Sequence, residues 1–308
     1  MKCFVINLDR AADRWARVRS DFAPFGFDLI RVVAIDGQTL ALPCPEFDET
    51  RYRRCHGKKP IPNEIACYLS HRKAWRLFLE TSDPYAIIAE DDVSPVPGCR
   101  ELLDDLIAEH ASWNLVKLMD FRSWRYPYLC YRRLRGGHSL GLPFFRTRSS
   151  GAYLLDRTAA ENMFRFMVPM VAPIDHMMEQ DWRFGFHLAA VKPAGFQLTE
   201  MEHCSTIGNI RQARLHASQR LPTVVPYRAR VVLERTLYRL YRWIRLLCAK
   251  RRDATPDPTR AKNEVQDELD SPVPSSSKFR STKPSSTKPS STESQRSDGA
   301  PILGKESL

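Results

Sequence analysis

Over the first 200 positions, apolar residues fall into short runs closed by charged or turn-forming residues, with longer stretches of helical spacing between them. Phe4-Val5-Ile6-Asn7-Leu8 predicts a buried strand ended by Asp9-Arg10, and residues 11–23 continue with helical spacing around Asp13, Arg14, Arg17 and Arg19. A second strand is predicted over residues 29–35, stopped by Asp36-Gly37, and a helix over 62–80, with Ile65, Leu69, Trp75, Leu77 and Phe78 as apolar positions. Tyr85-Ala86-Ile87-Ile88-Ala89 has the composition and length of a buried parallel strand, and Asp83-Pro84 marks its start. A helix over 102–110, a strand over 113–118, a strand over 149–155 and a helix over 158–166 follow. Pro173-Ile174-Asp175 then opens a segment running through Trp182 and His187. Residues 121–148, rich in Arg and Tyr around Gly136-Gly137-His138, read as a long loop. Alternating strands and helices predict an α/β fold with a parallel sheet, in which ligands bind at the carboxyl ends of strands. Asp9, Asp36 and Glu90-Asp91-Asp92 all fall at such ends.

Charge divides the chain into three parts. Residues 1–210 carry 27 Lys/Arg against 26 Asp/Glu, residues 211–252 carry 12 against 1, and residues 253–308 carry 8 against 9. The whole net charge of +11 therefore resides in one short segment. A near-neutral body argues against a nucleic-acid partner, which would call for positive charge spread over the core domain. Beyond residue 253 the composition collapses to Ser, Thr, Pro and Lys, and predicts a disordered tail. The predicted organisation is a domain over 1–210, a basic helical segment over 211–252 and a tail over 253–308. The eight cysteines include no C-x-x-C pair and no regular spacing, which excludes metal knuckles and compact disulfide scaffolds. No signal peptide and no apolar run of spanning length is found, so the cysteines are expected to be reduced and the protein cytoplasmic.

Glu90-Asp91-Asp92 carries the most chemistry. Three carboxylates at a strand exit repel one another and lose solvation unless a cation sits among them. Hard oxygen ligands on a short turn suit Mg²⁺ or Mn²⁺, which would in turn hold a diphosphate. The competing reading is that they cap the following segment or face water.

Four blocks carry a resemblance to a known family: Val5-Ile6-Asn7-Leu8-Asp9-Arg10 with Arg14; Asn63-Glu64-Ile65-Ala66-Cys67-Tyr68-Leu69-Ser70-His71 with Trp75; Glu90-Asp91-Asp92-Val93; and Ser150-Gly151-Ala152-Tyr153-Leu154 followed by Pro173-Ile174-Asp175 and Ser205-Thr206-Ile207. In this order and spacing, over about residues 2–208, the chain resembles glycosyltransferase family 25, the bacterial lipopolysaccharide galactosyltransferases related to animal collagen galactosyltransferases. It departs from the family's usual glycines at Asn63 and Ala66, which leaves functional side chains in place but alters the turn entering that helix. The resemblance implies a glycosyltransferase A-type, Rossmann-like fold, a UDP-sugar donor such as UDP-galactose, a saccharide or glycolipid acceptor and a divalent metal. Glu90 and Asp92 match the outer positions of the family's D-x-D pattern, with Asp91 at the ribose or sugar and His203 as a distal metal ligand. Asn7, Asp9, Arg14, Asp36 and Gly37 would line the nucleotide pocket, with Glu64, Ser70 and His71 meeting the donor. Each has a structural alternative: a helix cap for Asp9, an ordinary turn for Asp36-Gly37, a first-turn carboxylate for Glu64 and a packed core residue for His71.

Transfer with inversion needs a carboxylate to take the acceptor hydroxyl's proton. Asp175, at the family's Pro-x-Asp position, is the first candidate, followed by Asp181 and Glu179; the alternative for Asp175 is N-cap of a helix over 176–188. The arginines of the 121–148 loop, among them Arg122, Arg125, Arg146 and Arg148, suit an acidic acceptor. On a helical wheel, residues 228–248 put Val232, Leu233, Leu237, Leu240, Tyr241, Trp243, Ile244 and Leu247 on one side and Arg228, Arg235, Arg239, Arg242 and Arg245 on the other, with Leu246 and Val231 as exceptions. That pattern predicts an interfacial helix on an anionic membrane surface, the cytoplasmic face of the inner membrane; the alternative is a terminal helix packing its apolar side on the domain. The rival expectations are a non-catalytic membrane-surface protein that retains the fold, and a metal-dependent phosphoesterase, for which the ligands of a second metal are lacking.

Overall fold

The computed structural model describes residues 1–119, 128–147, 149–199 and 216–254. Its centre is an eight-stranded sheet in the order β2-β1-β3-β8-β5-β9-β7-β6. These strands are β1 (Lys2–Asn7), β2 (Asp28–Val33), β3 (Tyr85–Glu90), β5 (Leu115–Lys117), β6 (Tyr128–Arg133), β7 (Ser139–Pro143), β8 (Ala152–Asp156) and β9 (Leu188–Lys192). A small antiparallel pair, β4 (Val93–Pro95) with β10 (Phe196–Leu198), lies beside the acidic turn.

The sheet is buried on both faces. Phe4, Ile6, Ala86, Ile88, Tyr153 and Leu155 enter one core with helices α3 (Pro62–Leu79) and α5 (Arg157–Phe166). The alternate residues Cys3, Val5, Ile87, Ala89, Ala152 and Leu154 enter the other with α1 (Ala12–Phe22) and α4 (Cys99–Ala108). The period of two thus survives inside strands that read as continuous apolar runs, because both faces are covered. The fold is the expected α/β class, with a Rossmann-like parallel half in which β1 pairs in parallel with both β2 and β3. In register, Ile6 faces Glu90 and Asn7 faces Val33, so three strands end together where the acidic triplet begins.

Three expectations are corrected. The sheet is mixed: β8 runs antiparallel to both β3 and β5, and β7 to β9. A strand buried on both faces has the same apolar composition in either direction, so its polarity is not legible. The 121–148 loop contains the hairpin β6–β7, whose turn uses Gly136 and Gly137 at φ 62° and 77°, values that favour glycine. Its second strand, Ser-Leu-Gly-Leu-Pro, is short and carries both Gly and Pro, which hid it. Instead of one helix over 176–188 there are α6 (Ile174–Met178) and α7 (Asp181–Phe184), with Pro173 as the α6 cap, so Asp175 lies inside α6 and is not an N-cap.

Residues Met1–Thr255 form one compact unit that includes the long helix α9 (Val224–Ala254). The helix docks with Arg235, Arg239 and Arg242 inward, Trp243 and Leu247 of the expected apolar side pack against the core, and Arg228, Arg230 and Arg245 are exposed. Arg239 reaches Asp181 and the Pro143 carbonyl, and Arg242 reaches the Leu188 and Ser112 carbonyls. The guanidinium fork supplies the several donors that these carbonyls and the Asp181 carboxylate require. The aliphatic face turns outward, with Leu233 and Leu237 about 60 % exposed. Among the described residues no helix is long and apolar enough to cross a membrane.

Candidate active site

The turn after β3 is clamped to the first strand and helix through Asp91. Asn7 Nδ2 donates to Asp91 Oδ2 (2.7 Å), Arg14 Nη1 donates to Oδ1 (3.0 Å) and Arg17 Nη2 donates to the Asp91 carbonyl (2.7 Å). Asn7 Oδ1 in turn accepts from Arg31 Nε (2.8 Å). The middle carboxylate of the triplet is thereby neutralised inside the fold, and it fixes how its two neighbours are presented.

Glu90 and Asp91 border a cleft of about 590 Å³ at the carboxyl ends of β1, β2 and β3, and Asp92 follows just outside its lining. Arg14, Asp36, Gly37, Ser70, His71, Glu90 and Asp91 all line it, as does Arg10, which pairs with Asp36. Gly37 presses against the start of α3: a Cβ there would lie 2.6 Å from Asn63 Cα, so only glycine fits this approach. Ser70 latches the same wall, accepting from Ile35 N (2.8 Å) and donating to the Ala66 carbonyl (2.7 Å).

Beneath the cleft, His71 is fully buried between Tyr153 and Glu90. Its Nδ1 lies 2.9 Å from the Tyr153 hydroxyl, its Nε2 lies 3.4 Å from Glu90 Oε1, and Trp75 Nε1 donates to the same hydroxyl (2.8 Å). Burial raises the Tyr153 hydroxyl well above its ordinary pKa, so it keeps its proton. Trp75 can only donate, which leaves His71 Nδ1 as the acceptor for that proton. In the neutral ring the proton of His71 then sits on Nε2, facing Glu90. His71 therefore orients Glu90, and this tautomer leaves no Nε2 lone pair for a metal.

Burial pushes the Glu90 carboxyl up, but the contacts with His71 and Ser150 bring it below its ordinary value. Asp92 has less help: burial, then the charges of Glu90 and Asp91, outweigh Arg14 and a backbone hydrogen bond and raise it from 3.8 to about 7. Asp92 thus sits in a net negative field, which Arg14, already paired with Asp91, offsets only in part. That surplus, presented by oxygen donors, fits a divalent cation held by Glu90 and Asp92. Cys67, His71 and Glu90 also bring one ligand atom each within 4.8 Å of one another. Burial and the Glu90 and Glu64 charges keep the Cys67 thiol far above its ordinary pKa, so the carboxylates are the better donors for a hard ion.

The three candidate bases separate cleanly. Asp181 is fully buried, paired with Arg239 at 3.0 Å and accepting from Leu188 N, so it serves the core and not the reaction. Glu179 is buried with Lys117 at 3.2 Å; burial raises it, but Lys117 and Thr147 pull it below its ordinary value, which makes it a poor base. Asp175 alone is both accessible, at 21 %, and raised, first by desolvation and then by Glu179.

Three other predicted residues lie outside the cleft lining, the first of them Asn7, which is buried and bonded to Asp91. Asp9 does not line the cleft: its side chain is 79 % exposed, 3.3 Å from Arg31. Glu64 accepts from the Tyr52 hydroxyl and also lies outside the cleft lining. His203, Ser205-Thr206-Ile207, Arg122, Arg125 and Arg148 lie outside the described residues. The roles of Tyr153 and Trp75 were missed. Both stand in the blocks that carry the resemblance, but only the sheet brings them to one histidine.

Comparison with known proteins follows this geometry. Residues 1–178 match the family described as Glycosyltransferase family 25 (LPS biosynthesis protein). A glycosyltransferase 25 family member of Anopheles gambiae is 25 % identical over 121 residues, covering 37 % of this chain and 20 % of that protein. The probable inactive glycosyltransferase 25 family member 3 of Rattus norvegicus is 27 % identical over 128 residues, covering 37 % and 22 %. The match thus spans about a fifth of the length of these relatives. Among solved structures, A197 from STIV aligns with a TM-score of 0.36 and 9 % identity, over 64 % of this chain and 84 % of that one. A glycosyltransferase involved in glycosylation of the major capsid of PBCV-1 aligns at 0.28 and 10 %, over 52 % and 61 %. With the family match extending over more than half of its residues, the chain belongs to glycosyltransferase family 25.

Proposed function

We propose that the protein is a glycosyltransferase that moves a hexose, galactose from UDP-galactose, onto a saccharide acceptor of lipopolysaccharide or lipooligosaccharide type, with inversion. The observation that carries this reading is the convergence of Glu90, Asp91, Arg14, Asp36 and Gly37 on one cleft at the ends of three parallel strands. Mn²⁺ or Mg²⁺ held by Glu90 and Asp92 would neutralise the diphosphate as the glycosidic bond breaks. Arg10 and Arg14, paired with Asp36 and Asp91, also line the cleft, and Asp36 offers a carboxylate to ribose or uracil. Asp175 takes the acceptor hydroxyl's proton, and desolvation, then Glu179, raise its pKa and make it a stronger base than an ordinary carboxylate.

A non-catalytic role is the second reading, motivated by the rat relative named as probably inactive. The intact triplet and its clamp speak against that here. Titrating UDP-galactose with and without Mn²⁺ separates the two: the transferase reading requires binding that strengthens with the metal, and metal-independent or absent binding would overturn it.

We further propose that α9 lies on an anionic membrane surface, on the cytoplasmic face of the inner membrane, near a lipid-linked acceptor. Its outward stripe of Val225, Leu233, Leu237, Leu240, Tyr241 and Ile244 supports this, as do the exposed arginines 228, 230 and 245 beside it. A second copy of the chain would set those arginines against like charges, whereas anionic lipid attracts them.

A further inference from the structure

A second cleft, of about 550 Å³, is lined by residues of α6 and α9, and two of its lining residues, Glu179 and Arg146, act on the Asp175 carboxyl. Its chemistry is set by Arg146, His176, Glu179, Tyr227, Arg228 and Arg235. Arg235 is only 5 % exposed, and among the described residues it has neither an ion pair nor a hydrogen bond; its Nε is buried without a partner. Arg146 Nη1 meets His176 Nε2 at 2.5 Å, and Arg228 Nη2 donates to the His56 carbonyl (2.7 Å). The His176 partner of Arg146 carries no negative charge. Burial and the field of Arg146 hold His176 down at a pKa of about 3, so it is neutral. The one lining carboxylate, Glu179, is already matched by Lys117 through Oε1. Arg235 and Arg146 thus share a recess without an ion pair of their own, and a buried cation in that state asks for an anion.

Glu179 supplies the second requirement. Its Oε2 is buried with no hydrogen-bond partner, an acceptor waiting for a hydroxyl. Position supplies the third. Asp175 Oδ2 lies 4.0 Å from His176 Nε2, its carboxyl feels Glu179 and Arg146 on this side, and Cys67 of the donor cleft feels Asp175 on the other. A molecule anchored here would present its neighbouring hydroxyl to the base.

We propose that this cleft, built jointly by α9, α6 and the segment after β7, is the subsite that anchors the acceptor through an anionic group, a phosphate monoester or a carboxylate, carried on a hydroxyl-bearing saccharide. The assignment rests on the transferase reading for its role, but the binding it requires does not. Guanidinium groups suit either anion, since both present paired oxygens to the fork. Arg235 and Arg239 lie one helical turn apart on the inward face, and they divide the work: Arg239 holds the helix to the body, while Arg235 faces the cleft.

Calorimetric binding of glucose 6-phosphate, galacturonate, inorganic phosphate and glucose to the full chain, at saturating UDP and Mn²⁺, tests this. The phosphorylated or carboxylated sugar should bind at least tenfold more tightly than glucose. Both Arg235→Gln and Arg146→Gln should remove that preference while UDP affinity stays at the wild-type level, which certifies the fold. The phosphate and uronate arms tell which anion is preferred. Equal affinity for neutral and charged sugars would overturn the proposal, as would a preference that survives both substitutions. Inorganic phosphate binding as tightly as the sugar phosphate would overturn the saccharide part. A protein that releases no nucleotide from any UDP-sugar but keeps the Arg235-dependent preference would refute the transferase reading and uphold this cleft as an anion site.

Discussion

Arg239 and Asp181 form an ion pair at 3.0 Å, with side chains 1 % and 0 % exposed, and it joins the last described helix to the centre of the domain. Arg242 adds a second cation 3.7 Å from the same carboxylate. Removing one member of such a pair leaves an uncompensated buried charge, at a cost of about 3–5 kcal/mol. Arg239→Met should therefore lower unfolding stability in urea by that order, and deleting residues 226–308 should unfold the domain. Asp181→Leu with Arg239→Met should recover most of the loss. A stable, folded truncation would show that α9 is dispensable to the core.

The outward face of the same helix should act separately. Leu237→Glu with Leu240→Glu alters side chains that are 59 % and 38 % exposed, so melting temperature should hold. Binding to vesicles containing anionic lipid should weaken at least tenfold, the loss expected from withdrawing two aliphatic groups from an interface. Unchanged vesicle binding, or a concentration-dependent dimer dissociated by the same substitutions, would assign the stripe to another partner.

Asp175→Asn is expected to lower kcat by roughly 10²–10⁴-fold with little change in donor affinity. Because Asp175 must be ionised to accept a proton, and because desolvation and Glu179 raise its pKa, the acidic limb of the rate profile should lie above the ordinary carboxylate range. Asn at this position retaining most of kcat would place the base elsewhere.

Asp92 sets a pH dependence of stability. Its pKa in the folded protein, about 7, lies above the ordinary value of 3.8, so the folded state holds the proton more tightly than the unfolded chain does. The stability this confers is complete below 3.8 and is lost progressively as pH rises towards 7. A bound divalent cation favours the ionised carboxylate, so Mn²⁺ should raise the melting temperature strongly at pH 8 and little at pH 5. Asp92→Asn should abolish the metal response while making the metal-free protein less sensitive to pH. An equal Mn²⁺ effect at both pH values would remove Asp92 from the metal site.

Much of this site was legible in the sequence because strand ends announce themselves: Asp36 and Glu90-Asp91-Asp92 each close an apolar run, and topology brings these ends together. Which carboxylate does what was not legible. Asp91 looks like its neighbours in sequence, yet it is the clamp, because Asn7 and Arg14 reach it from 84 and 77 residues away. Asp181 and Glu179 look as available as Asp175 until Arg239 and Lys117 are seen to neutralise them. The face that α9 buries was hidden for a related reason. A helical wheel separates arginines from leucines, but it does not show that the domain offers Asp181 and three free carbonyls to the arginines.

The central claim, that Glu90 and Asp92 present a metal to the diphosphate of a nucleotide sugar, is tested most directly by nucleotide release. The full chain is incubated with each common UDP-sugar, with and without Mn²⁺, and free UDP is measured for the wild type and for Asp92→Ala. The account predicts release from UDP-galactose that requires the metal and disappears in the variant, with the variant still folded. Release that proceeds in chelator, or that Asp92→Ala leaves intact, would contradict it.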